Sequence, residues 1–175
     1  MREFPCPHHH AAQNRLFSHK YHPMSLESVR AFFTANAPDI AVIETAGSSS
    51  TVTLAAEAHG VEPAQIAKTI CLRVGDRIML IVASGMARLD NRKFKDTFGG
   101  KGRMLDAEEV LAVTSHPVGG VCPFGLPTPL PIYCDVSLKQ FDEVVPAAGS
   151  TNSAVRIPTE RLAEITRAEW IDVCQ

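Results

Sequence analysis

Residues 68–83 read KTICLRVGDRIMLIVA, and this stretch decides the fold. Its two strongly apolar runs, Lys68–Val74 and Arg77–Ala83, flank the pair Gly75-Asp76, which is typical of a β-hairpin with a tight turn. Shorter strand-like segments on both sides alternate with segments of helical periodicity. The sequence therefore predicts an α+β fold, in which short helices surround a mixed, curved central sheet or a partly closed barrel.

Capping residues and periodicity set the expected element boundaries. Ser25 can cap a first helix that ends before Pro38, and Asp106 can cap a later helix that runs to Ala112. The other predicted helices are Thr51–His59, Asn91–Phe98 and Pro158–Thr166, with helical turns at Pro63–Ile66 and Ser137–Phe141. The other predicted strands are Ile40–Glu44, Arg103–Leu105, Leu130–Asp135, Val144–Ala147, Ala154–Ile157 and Trp170–Val173.

Length and composition are typical of a single-domain globular protein. The chain has 175 residues, of which 45% are hydrophobic and 21% are charged, so it can bury a core. Its net charge of −2 gives no overall basic field, so nucleic-acid binding requires a local patch. No apolar run approaches the roughly 20 residues that a bilayer requires. Five cysteines without a C-x-x-C pair indicate a reducing compartment, and we expect a cytoplasmic protein that binds no membrane.

Residues 1–24 differ from the rest of the chain. They hold five of the seven histidines and show no long periodic pattern. The spacing of Cys6 and of the histidines at positions 8, 9, 10, 19 and 22 fits no standard zinc site, so no metal is predicted. We expect a mobile N-terminal leader over residues 1–24 and one domain over residues 25–175.

Glycines frame a second informative stretch, GGVCPFG at residues 119–125. Glycine permits a close approach between backbone and ligand, and Pro123 fixes the middle of the loop. Such a loop can direct its N–H groups at one point, as the stabilisation of an oxyanion requires. Taken alone, the loop is equally consistent with a tight structural turn.

Two side chains near these stretches are candidates for chemistry. Lys68 enters an apolar strand, where it either faces water at the strand edge or holds a phosphate, carboxylate or carbonyl oxygen at a pocket rim. Cys122 can act as a nucleophile if its surroundings lower its pKa, and His116 can be proposed as its partner. Spacing alone does not support this pair, and a small loop residue is the simpler interpretation of Cys122.

A basic segment runs from Gly85 to Arg103 and contains few acidic residues. It is either a solvated helix face or a patch that follows a phosphate backbone, with Arg88, Arg92 and Lys93 as the candidate contacts.

Four blocks of sequence together resemble a known family. They are PAQIAKTI at residues 63–70, LDNRK at 89–93, VGGVCPFG at 118–125, and Gly149. In this order they resemble the YbaK/ProX family, which includes the insertion editing domain of bacterial prolyl-tRNA synthetases and its free-standing relatives. The resemblance covers roughly residues 25–173. It implies a mixed α/β fold and a cytoplasmic deacylase that removes a wrong amino acid from the tRNA 3′ end without metal or cofactor.

The resemblance also implies roles for individual residues. Lys68 matches the family lysine, and Gly119 and Pro123 match the ends of a G-x-x-x-P loop. The backbone of that loop is expected to hold the substrate end, while the terminal ribose hydroxyl helps to activate water. The expected catalytic residues are Lys68, Gly119 and Gly120, and the expected substrate-binding residues are Ile70, Val121, Cys122, Pro123, Phe124, Gly149 and Ser150.

The chain departs from the YbaK-type pattern around the loops. Cys122 stands where many relatives carry Ser or Pro. Ala147 and Ala154 stand nearest to the positions where YbaK-type members have a Ser and an Asp. These departures point to a related subgroup whose misacylated substrate differs from Cys-tRNA(Pro).

The leading hypothesis is a trans-editing hydrolase that deacylates mischarged tRNA. The expected substrate is tRNA(Pro) carrying a small wrong amino acid, and prolyl-tRNA synthetase is a candidate partner. Two other classes stay open: a non-catalytic module that binds tRNA or a synthetase, and a thiol-dependent hydrolase of a small ester.

Overall fold

The computed structural model describes residues 22–175, with side chains from Ser25 onwards. The leader predicted for residues 1–24 therefore lies outside the described side chains. The described helices are α1 (His22–Asn36), α2 (Val52–His59), α3 (Asn91–Phe98), α4 (Ala107–Thr114) and α5 (Thr159–Thr166). The described strands are β1 (Ile43–Glu44), β2 (Ile66–Val74), β3 (Arg77–Ser84), β4 (Arg103–Met104), β5 (Ile132–Asp135), β6 (Glu143–Pro146), β7 (Ser153–Ala154), β8 (Ile157–Pro158) and β9 (Glu169–Ile171). Short 3-10 helices cover Pro63–Gln65 and Val136–Gln140.

The β2–β3 hairpin is the centre of the sheet, as the apolar stretch predicts. The two strands pair antiparallel with Thr69 opposite Val82, and Gly75 closes the turn with φ +57°. A seven-stranded sheet extends from this hairpin in the order β8-β6-β2-β3-β5-β9, with β4 added to β2. Parallel β3–β5 and β5–β9 pairs make the sheet mixed, and it curls into a half-barrel. The predicted α+β class and curved mixed sheet are confirmed.

Helices cover both faces of the sheet. On one face, Val82 belongs to a buried cluster with Val29 and Phe33 of α1 and Leu162 of α5. On the other face, Met79 and Ile81 of β3 pack with Phe94 of α3 in a second cluster. The alternation of side chains along β3 separates these two cores, because successive residues of a strand point to opposite faces. Within residues 22–175, no helix has the length and apolar character needed to cross a membrane.

The helix ends follow the capping chemistry of the sequence at three places. The Thr51 side chain accepts a hydrogen bond from the Leu54 N–H at the start of α2, and Gly60 ends that helix in the left-handed conformation. Asp90 caps α3 through the N–H groups of Arg92 and Lys93. Asp106 and Glu109 form a reciprocal capping box at α4.

Two boundary predictions are wrong. Ser25 lies inside α1, and its hydroxyl is used for long-range hydrogen bonds instead of a helix cap. The predicted strand Ala154–Ile157 is two separate strands. Ala154 pairs with Ile43 of β1, whereas Ile157 pairs with Val144 of β6. The chain leaves one sheet and joins another within these few residues, and local periodicity does not show such a change of partner.

One edge of β2 is left partly unpaired, and this gap positions the candidate site. Strand β6 pairs with β2 only at Ile66 and Ala67, and β4 pairs with it only at Leu72 and Arg73. Residues 68–71 lie between these two partners. The gap therefore exposes the middle of the central strand to the space between β6 and β4.

Candidate active site

A cavity of about 290 Å³ lies along the gap in β2, at the lower end of the size range of small-molecule sites. Segment 68–71, whose first three residues pair with neither β6 nor β4, forms one wall. Val118, Gly119 and Val121 of the glycine loop form a second wall, and a third comes from segment 49–52 at the start of α2. The remaining lining is mostly apolar: Ala55, Ile66, Ala67, Met104, Leu105, Val110, Val145, Ala147, Ser153 and Ala154.

The glycines of the loop permit contacts between backbones. Gly119 has φ +89°, and a Cβ built on it would lie 2.7 Å from Cβ of Ser50. A Cβ on Gly120 would lie 2.8 Å from the backbone of Ser150. The Gly149 N–H donates to O of Gly120 at 3.1 Å. The loop is thus held between two other segments at distances that no side chain allows.

Backbone N–H groups of the loop differ in their availability. The Gly120 N–H donates to O of Pro117 at 2.8 Å and closes a turn. Because this N–H already has an acceptor, it is not available to an oxyanion, and the amide of Gly120 does not support the catalytic role expected for this residue. Gly119 and Val121 both line the cavity, and neither amide has a hydrogen-bond partner among the described residues. These two amides are the candidate donors to an oxyanion.

Lys68 lines the same cavity and is half-buried. Its ammonium donates to O of Gly85 at 3.0 Å and to O of Ala87. Burial lowers the pKa of Lys68; Cys174 raises it and Arg88 lowers it. An ammonium has three N–H donors, so one remains for a ligand after the two carbonyls are satisfied. The geometry favours a positioned cation over a solvated strand-edge lysine.

Thr69 is a residue that sequence reasoning missed. It follows Lys68 on β2 and lines the cavity. Its Oγ1 is buried and has no hydrogen-bond partner among residues 22–175. A buried hydroxyl without a partner costs about 1–3 kcal/mol of folding free energy. The pattern of β-branched and apolar residues along β2 gives no signal for this, because it does not reveal which polar atom lacks a partner.

Cys122 and Phe124 are corrections to the expected substrate-binding set. Both side chains are fully buried in the main core with Val29 and Phe33, and neither lines the cavity. Burial raises the pKa of the Cys122 thiol to about 12. Alternate residues of the loop face opposite ways, so Val121 reaches the cavity while its neighbour Cys122 packs inward.

His116 holds the loop from behind. Its Nε2 donates to O of Phe124 at 2.9 Å, and Cys122 Sγ lies 3.5 Å from the same nitrogen. Because the Phe124 carbonyl can only accept, Nε2 carries a proton and cannot take one from the thiol. Burial lowers the pKa of His116, which favours the neutral ring. The Cys–His pair is therefore present in space but unsuited to thiol activation.

The other expected substrate-binding residues occupy three different places. Ile70 lines the cavity beside Lys68. Pro123 lines a separate surface groove with Phe32 of α1. Gly149 and Ser150 contact Gly120 from behind and support the loop without lining the cavity.

Cations of the basic segment are engaged to different degrees. The Lys93 ammonium pairs with Asp172 at 2.7 Å and also donates to O of Cys174. Arg88 and Arg92 are exposed, and neither forms an ion pair among the described residues. Within residues 22–175, no group of three or more His, Cys, Asp or Glu side chains is arranged to hold a metal ion.

Comparisons with known proteins match most of this chain. Residues 47–165 match the family model described as an aminoacyl-tRNA editing domain, and this span contains the complete cavity lining. The uncharacterized protein YwhH of Bacillus subtilis (strain 168) is 49% identical over 154 residues, which cover 87% of this chain and 98% of that protein.

Solved structures share the fold over nearly the same length. A crystal structure of a candidate trans-editing enzyme for prolyl-tRNA synthetase is 32% identical, with a TM-score of 0.81, and the match covers 86% of this chain and 97% of that chain. The hypothetical protein APE2540 is 28% identical, with a TM-score of 0.78 and coverage of 85% and 99%.

Proposed function

This chain belongs to the aminoacyl-tRNA editing domain family, and from that premise we propose that it hydrolyses the ester between a wrong amino acid and the 3′ end of a tRNA. The observation that carries the proposal is the meeting of three features in one cavity. These are Lys68, whose ammonium is held by two backbone carbonyls, the unpartnered amides of Gly119 and Val121, and a mostly apolar lining. Together they suit an acyl group linked to an anionic chain.

The proposed reaction is the attack of water on the ester carbonyl. The amides of Gly119 and Val121 donate hydrogen bonds to the oxyanion that forms as the water oxygen bonds to the carbonyl carbon. The bond between that carbon and the ribose oxygen then breaks, and the ribose oxygen takes a proton that the water released. The free ribose hydroxyl next to the ester assists the proton transfer. The anchored Lys68 ammonium holds the 3′-terminal phosphate with its remaining N–H.

A small wrong amino acid on tRNA(Pro) is the substrate we propose. One methylene changes binding by only about 1–3 kcal/mol, so a synthetase pocket rejects smaller amino acids poorly, and a second, smaller site corrects its errors. Ala147 and Ala154 line the cavity. Because neither position carries a longer polar side chain that could bind a thiol, the cavity suits a small acyl group that has no thiol. The cavity size is consistent with such an acyl group.

The proposal also covers the extent of the domain, its location in the cell and its contacts with the tRNA backbone. We propose that residues 25–175 form the editing domain and that it acts in the cytoplasm, where charged tRNA is made. Arg88 and Arg92, as exposed cations without ion pairs, are the proposed contacts to the tRNA backbone. Lys93 contributes less, since its ammonium already pairs with Asp172.

The deciding experiment is deacylation of a panel of tRNA(Pro) species charged with alanine, serine, threonine, cysteine or proline. The expected result is release of at least one wrong amino acid by catalytic amounts of the protein, with Pro-tRNA(Pro) left intact. A non-catalytic binding module would instead protect the ester and show no turnover. Retention of every ester under these conditions would overturn the proposed hydrolysis.

A further inference from the structure

Two of the most exposed apolar side chains in residues 22–175 flank the same cavity. Met104 is 70% exposed and Val118 is 60% exposed, yet both line the cavity over the β2 gap. A side chain that lines a cavity while mostly open to solvent lies at its mouth. Isolated apolar side chains on a surface are ordinary, but two from separate segments at one opening form an apolar rim.

The backbone segments that carry the two rim side chains are held by neighbouring parts of the structure. Met104 belongs to β4, which pairs with Leu72 and Arg73 of β2. Val118 precedes Gly119, whose backbone is fixed against Ser50. Below them, the partly buried Val121 packs on a cluster that contains Leu105 and Val110. The backbone that carries the two side chains is thus held in place, while the side chains themselves stay exposed.

We propose that this rim, Met104 and Val118, holds the base of the 3′-terminal nucleoside of the tRNA. The inference rests on the proposed hydrolysis, because an acyl group inside the cavity fixes where its nucleoside must lie. The ester joins the acyl group directly to the terminal ribose, so the ribose and its base can only occupy the mouth. A base presents a flat apolar face, and apolar and aromatic side chains bind such faces with little dependence on sequence.

Charge at the rim suits a nucleotide better than an apolar protein segment. Arg103 precedes Met104 in β4 and does not line the cavity, but it is exposed beside the rim and has no ion pair among the described residues. Lys68 lines the cavity and contributes a second cation, whose ammonium keeps one N–H after its two carbonyl partners. The phosphate on the 5′ side of the terminal ribose and the phosphate before it in the strand can meet these cations while the base lies on the rim.

The test uses a minihelix with the tRNA(Pro) acceptor stem, in which an amide replaces the alanyl ester and 2-aminopurine replaces the terminal adenine. This probe binds without being hydrolysed, and its fluorescence reports contact of the terminal base. We expect wild-type protein to change the fluorescence on binding. Met104→Ser and Val118→Ser should each weaken binding by about three- to tenfold and remove most of the fluorescence change.

Met86→Ser is the matched control, since Met86 is 64% exposed but does not line the cavity. It should leave both affinity and fluorescence unchanged. With hydrolysable substrate, the rim variants should raise KM and keep kcat. Equal behaviour of Met86→Ser and Met104→Ser overturns the inference, as does a rim variant that binds the minihelix normally but loses binding to prolyl-tRNA synthetase.

Failure of the inference and failure of the proposed function are distinguishable. A wild-type protein that binds the probe with a fluorescence change but hydrolyses no ester contradicts the proposed hydrolysis and supports binding of the terminal base at the rim. If the wild-type protein hydrolyses mischarged tRNA and the rim variants have the same KM, the proposed hydrolysis is supported and binding of the terminal base at the rim is contradicted.

Discussion

The hydroxyl of Ser25 lies 2.6 Å from Nδ1 of His116, so helix α1 is joined directly to the residue that holds the glycine loop. The same hydroxyl lies 2.6 Å from O of Gly149. His116 in turn reaches O of Phe124. One buried pair of side chains therefore connects α1, the glycine loop and the turn that supports it.

Replacement of Ser25 by alanine should destabilise the protein. The single hydroxyl proton can be donated to Nδ1 of His116 or to O of Gly149, so the substitution leaves one buried acceptor without this donor, which costs about 1–3 kcal/mol in the free energy of unfolding. Ser28→Ala is the control, because its hydroxyl donates only to O of Ser25 within the same helix and is half-buried. Urea denaturation of both variants measures the difference. Equal and small effects would show that the Ser25–His116 contact contributes little.

Cys122→Ala should keep most of the deacylase activity. The thiol is fully buried, its pKa is raised to about 12, and the nearby His116 nitrogen already carries a proton for Phe124. The variant should lose only about 1 kcal/mol of stability from the small void. Iodoacetamide labelling followed by mass spectrometry should find Cys122 unmodified in the native protein and modified after denaturation. Loss of kcat in a folded Cys122→Ala protein would revive the thiol mechanism.

Gly119→Ala should damage both stability and activity. Its φ of +89° is unfavourable for alanine, and the new Cβ would lie 2.7 Å from Cβ of Ser50. We expect a loss of about 1–3 kcal/mol and a fall in kcat, since the loop wall of the cavity must move. Gly47→Ala is the control, because nothing lies within 4 Å of its added Cβ. Ser50→Gly combined with Gly119→Ala should recover part of the loss, and no recovery would mean that the backbone angle dominates.

The sequence predicts the parts of this site that depend on neighbouring residues and misses the parts that depend on contacts between distant segments. The hairpin, the helix caps and the glycine loop are local, so residues 68–83, Asp106 and Gly119 could be assigned from neighbours in sequence. The inward packing of Cys122 could not be predicted from its neighbours in sequence, because it depends on the direction in which a short loop turns against α1. The gap in β2 also depends on β4 and β6, which arrive from distant parts of the chain. Sequence periodicity therefore locates the strand but not its unpaired edge.

Binding of an acceptor end through Lys68 should weaken at alkaline pH. Only the ammonium form attracts a phosphate, and burial places the pKa of Lys68 below its ordinary 10.5. Affinity for the non-hydrolysable minihelix should therefore be constant at neutral pH and fall as the pH rises through this lowered pKa. Lys68→Arg should keep its charge over the same range, and Lys68→Met should bind weakly throughout. An affinity of wild-type protein that stays constant up to pH 10.5 would contradict this role.

Thr69→Val should make the protein more stable and less active. Threonine and valine have nearly the same shape, and the substitution removes a buried hydroxyl that has no partner in the described part of the chain. The free energy of unfolding should rise by about 1 kcal/mol. If the hydroxyl bonds to the bound acyl group, kcat/KM should fall by about tenfold, since a hydrogen bond in a closed site is worth about 1–1.5 kcal/mol. Thr69→Ser keeps the hydroxyl and should retain activity. A stabilised Thr69→Val protein with full activity would mean that the hydroxyl serves neither the fold nor the substrate, whereas a stabilised and impaired one identifies a polar group whose cost in folding is recovered in the complex.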